Sequence, residues 1–66
     1  MMTHDIAIGD RFRRQDVPRK LYRVSAITEP THHPPHVILV DARHPCDRLT
    51  ISLIVLADER YWHQAS

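Results

Sequence analysis

The chain has little of several things. It carries one cysteine, one glycine, one phenylalanine, one tryptophan and two tyrosines in 66 residues. Cys46 has no partner in the chain, so no internal disulfide staples the fold, and a lone thiol points to a reducing, cytoplasmic setting. Gly9 is the sole glycine, which excludes the glycine-rich loops that cradle phosphates. No apolar run approaches the roughly 20 residues of a membrane-spanning helix. The start, Met1 to Ile6, has no basic segment followed by an apolar stretch and does not read as a secretory signal. Neither sign of charge dominates: nine Lys and Arg face eight Asp and Glu, for a net charge of +1.

A catalytic set is also missing. Ser52 lacks the Gly-x-Ser-x-Gly setting of a nucleophile elbow. Cys46 has His44 nearby in sequence, but nothing supplies an oxyanion hole or a third orienting group. Asp58 and Glu59 would need a cleft between them and a substrate, and so short a chain has little room for one. The expectation is a non-enzyme without a cofactor.

What the chain does have is ordered punctuation. Pro18, Pro30, Pro34, Pro35 and Pro45 fall in three polar stretches and interrupt no apolar run. Proline cannot donate to a β-ladder, so these stretches read as loops and the segments between them as strands. Residues 1–8 read as an N-terminal arm and 9–66 as one domain. Gly9-Asp10 marks a turn into a first strand at Arg11-Phe12-Arg13-Arg14, with Phe12 inward. Gln15 to Lys20 reads as a loop. Leu21 to Thr28 is a second strand; Ile27 is out of phase with Tyr22 and Val24, which predicts a bulge near Ser25 or Ala26. His36 to Ala42 is a third strand, and a turn over Arg43 to Asp47 leads to a fourth ending near Leu53. Ser52 is placed to cap one helical turn over Ile54 to Asp58. Tyr61-Trp62-His63 closes the chain as a short fifth strand.

This order, mainly β with a single helical turn before the last strand, resembles the five-stranded SH3-like small β-barrel. The resemblance rests on Gly9-Asp10-Arg11-Phe12 at the entry, on Tyr22-Arg23-Val24-Ser25-Ala26-Ile27 as a long bent strand, and on Leu56-Ala57-Asp58 before Tyr61. The chain is also similar to small bacterial proteins with a Gly-Asp-x-Phe start and a His-Val-x-Leu strand, matched by His36-Val37-Ile38-Leu39. The resemblance implies a non-catalytic binding module, since Tudor, KOW and Sm-like members bind tails, peptides or RNA. Few aromatics are left over for a cation-binding cage.

Three surfaces are candidates for work. The stretch from Arg11 to Arg23 holds Arg11, Arg13, Arg14, Arg19, Lys20 and Arg23 against a single acid, Asp16. On strands, Arg11 and Arg13 share a face that Arg23 can join, which would suit a phosphate backbone or serve simply as a solvated face. His32, His33 and His36 lie close together, with His44 and Cys46 in another turn; both residue types ligate zinc. About 25 Å of extended strand separates the two groups, so exposed loop histidines are the reading preferred to a metal site.

The third surface is apolar. Val37-Ile38-Leu39-Val40 and Ile51 with Leu53-Ile54-Val55-Leu56 are apolar on both faces, whereas a sheet with one wet face alternates. Something must cover the second face. A chain this short buries only about 60% of its unfolded surface, so association would help it most. The expectation is a homodimer, or a complex with a protein partner, through Ile38, Val40, Ile54, Leu56, Tyr61 and Trp62. Nucleic-acid binding through the basic stretch is the alternative.

Overall fold

The computed structural model describes residues 6–29, 31 and 34–65. Among the described residues five strands and one turn of helix follow each other in the expected order. They are β1 (Arg11–Arg14), β2 (Val17–Thr28), β3 (His36–Asp41), β4 (Arg48–Ser52), α1 (Leu53–Leu56) and β5 (Trp62–Ala65). All pairings are antiparallel, in the spatial order β4-β3-β2-β1-β5. The sheet is mainly β as expected, yet hydrogen bonds do not close it into a barrel: β4 and β5 remain its two edges.

Local chemistry accounts for most joints. Gly9 takes φ +97°, a conformation that only glycine adopts without strain, and so turns the arm into β1. Its N–H donates to the Val24 carbonyl at 2.9 Å, which ties the arm to β2. Pairing shifts between Val24 and Ala26, so Ser25 is the bulged residue and Ile27 returns to the inner face. The Ser52 hydroxyl accepts from the Val55 N–H at 3.1 Å and caps α1. A four-residue helix has no stability of its own. It is held by Leu56, which is buried against the sheet.

One loop was misread from the sequence. Gln15 to Lys20 is not a loop: Arg14 pairs with Val17, so only Gln15 and Asp16 turn the chain. Pro18 then lies inside β2. The pairing of β1 skips from Arg14↔Val17 to Arg13↔Leu21, and a proline is tolerated at such an irregularity because no ladder bond is asked of it.

The inner face carries the core of Phe12, Tyr22, Val24, Val37, Leu39, Leu56 and Trp62. Tyr22 and Trp62 meet edge to face, centroids 5.7 Å apart at 69°. Ile6, Ile27, Leu49, Ile51 and Leu53 pack around this cluster. No helix among the described residues is long and apolar enough to cross a membrane.

Candidate functional site

The expected interface residues do not lie on one patch. Leu56 and Trp62 are 1% and 5% exposed, and they serve the core. A small domain has few large side chains, and its interior takes both. Val40 is buried and Ile38 half-buried on the outer face of β3. Ile54 and Tyr61 are exposed at 67% and 53%, and they lie on α1 and just before β5. Val55 beside Ile54, outside the expected interface set, is 45% exposed.

Val55 and Tyr61 border a groove of about 430 Å³ between the two sheet edges. Leu49 and Ile51 of β4, Val55 of α1, Tyr61 and the edge of Trp62 supply its apolar walls. Arg14, Gln15 and Asp16 of the β1–β2 turn form its polar rim. Arg14 lies on the inner side of β1, with its guanidinium 5.9 Å from the Trp62 ring and bonded to Asp16 at 2.8 Å. The groove is where a barrel would close. Among the described residues strand β4 pairs with no strand but β3. An apolar cleft therefore runs beside an open row of N–H and C=O groups, the arrangement that recruits another strand.

The basic stretch divides. Arg11 pairs directly with Arg23, so these two share the outer face, and Arg13 joins them two residues along. The Arg13 Nη1 donates to the Pro18 carbonyl at 3.1 Å. Arg14 faces the other way, as described. Arg19 is exposed on the irregular part of β2. Lys20 leaves the group: its ammonium donates to Asp47 at 3.0 Å and stands 3.6 Å from Asp41.

Asp41 is a charged residue that the sequence pattern does not single out. It ends an apolar strand and is 3% exposed. Its Oδ1 accepts from the Arg43 N–H at 2.8 Å and the His44 N–H at 3.3 Å, an Asx-turn that starts the β3–β4 connection. An acid two residues before a polar turn was the available signal. The Arg43 N–H holds its carboxyl below the ordinary 3.8; burial opposes this, and the His44 N–H and the Lys20 charge add to it. The Arg60 guanidinium and N–H lower Asp58 likewise. Both acids bind protons less readily folded than unfolded. Their stabilisation is therefore complete above the ordinary carboxyl value and is lost as pH falls through their folded values. Thermal melts taken from pH 5 to pH 2 are expected to show a steady fall in Tm, and Asp41→Asn should flatten it.

The histidines do not assemble a metal centre among the described residues, where no three His, Cys, Asp or Glu side chains converge. His32 and His33 lie outside the described residues. The Nδ1 of His36 is bonded to the Pro34 carbonyl at 2.9 Å. His44 and Cys46 sit on the exposed β3–β4 turn. Comparison of the chain with protein-family models, with curated proteins and with solved structures returned no match.

Proposed function

We propose that the chain is a non-catalytic, self-associating assembly module of the SH3-like small-barrel type, working in the cytoplasm. Two copies join by pairing β4 with β4 of the second copy. The observation that carries this reading is the open edge Arg48–Ser52 beside the apolar groove.

The strand suits its own copy. A two-fold axis at Thr50 sets Thr50 against Thr50, Leu49 against Ile51 and Arg48 against Ser52 of the other chain. No like charges meet. Threonine pairs and aliphatic pairs are both favourable across antiparallel strands. Leu49 and Ile51 already line the groove, so each copy brings apolar side chains to the other's cleft, beside the exposed Val55 and Tyr61. A dimer over the outer sheet face, through Ile38 and Val40, is the poorer choice. It would bring Arg11 and Arg23 of one copy toward those of the other.

The test uses the axis. Thr50 is exposed, so Thr50→Lys and Thr50→Glu leave the fold intact. Each variant alone sets two like charges directly opposite and should weaken association at least tenfold. An equimolar mixture should restore it, with light scattering reporting twice the 7.8 kDa of the chain. Full association of Thr50→Lys by itself would reject the pairing.

A further inference from the structure

The outer sheet face carries a row of arginines, of which only Arg48 lies on the strand that pairs in the proposed self-association. Register aligns Ala65, Arg11, Arg23, Val40 and Arg48 across all five strands. Directly paired residues point to one face, and here that face is opposite the Phe12–Tyr22 core. Arg48 lies outside the basic stretch in sequence and reaches it only through β3. Among the described residues Arg11, Arg23 and Arg48 have no ion pair, whereas Arg14, Lys20 and Arg60 do. No acid stands in this row, nor in the flanking rows His63–Arg13–Leu21 and Ala26–Ile38–Thr50. With a net charge of only +1, the chain has segregated its charge. Arg11 and Arg23 stand directly opposite each other, which disfavours the folded sheet. An anion between them removes that repulsion.

We propose that this face binds the phosphate backbone of duplex nucleic acid, without reading sequence. The arginines span three inter-strand steps, about 14 Å, and a duplex lying along them presents a phosphate per strand every ~3.4 Å. Arginine forks match phosphate oxygens in pairs. Single strands are held largely by stacking on aromatic rings. The row offers none, because Phe12, Tyr22 and Trp62 point inward and the exposed Tyr61 lines the groove instead. Backbone contact alone favours the stiff, charge-dense duplex over a single strand.

The experiment is fluorescence anisotropy with a labelled mixed-sequence DNA duplex of 20 base pairs. Three phosphate contacts predict a slope near −2.7 in log K against log salt, so affinity falls about 40-fold between 50 and 200 mM. Arg23→Glu and Arg48→Glu should each lose at least tenfold at 50 mM. Arg60→Glu makes the same charge change beside the groove and should stay within about twofold. Arg23→Thr should also lose binding while its Tm stays level or rises, because the repulsion with Arg11 is gone. That separates a binding residue from a structural one. The assignment is overturned if the duplex does not bind at 50 mM, or if Arg60→Glu loses as much as Arg23→Glu. It is equally overturned if the single strand, or vesicles containing phosphatidylserine, compete as well as the duplex.

Discussion

Replacing Trp62 with alanine is expected to remove much or all of the protein's stability. Trp62 is 5% exposed and stacks edge to face on Tyr22 in the centre of the core. Truncating a buried tryptophan costs about 3–5 kcal/mol. A domain of this length has only about 3–10 kcal/mol of stability in all. The loss therefore takes much or all of the margin. Circular dichroism melts should show Tm lowered by roughly 12 °C or more, at 4–8 °C per kcal/mol for a small domain. The lowering should persist under dilution. A variant that melts like the parent but sediments as a monomer would mean that Trp62 faces a partner instead.

Leu56→Ala is the companion case, with a loss of about 2–5 kcal/mol. Leu56 is the buried residue of α1 and packs in the cluster formed by Val37, Leu39 and Trp62. One helical turn cannot stand alone, so removing its anchor should undock α1 from the sheet as well as leave a cavity. Val55 would then no longer line the groove, and self-association should weaken with stability. Ile54→Ala is the contrast. Its side chain is 67% exposed, so the monomer should keep its melting curve within about 0.5 kcal/mol. Equal destabilisation by both changes, seen in chemical denaturation of dilute protein, would contradict the burial described.

Features set by a few neighbouring residues were legible before the structure. Gly9 demands a positive φ, Ser52 sits three residues before the N–H it caps, and Ile27 breaks the alternation that Ser25 must then absorb. Pro18 misled because a turn of Gln15 and Asp16 contains no glycine or proline, while the proline beyond it sits at an irregular pairing. Which apolar residues face outward was only partly legible. Apolar strands announce that something covers them, but whether Leu56 and Trp62 cover the inside or meet a partner depends on how the chain curls. A core of seven buried side chains needed both. The arginine row was half visible: alternation joined Arg11 to Arg13, but Arg48 required the registers of β3 and β4. Asp41 was hidden by its place at the end of an apolar run, where its partners are backbone groups that composition does not reveal.

Sedimentation equilibrium of the unaltered chain between 5 and 500 µM bears most directly on the open β4 edge. Mass should rise with concentration toward twice 7.8 kDa and stop there, because a two-fold pairing uses up the edge. A constant mass of one chain across the whole range would contradict the account, as would growth past two chains.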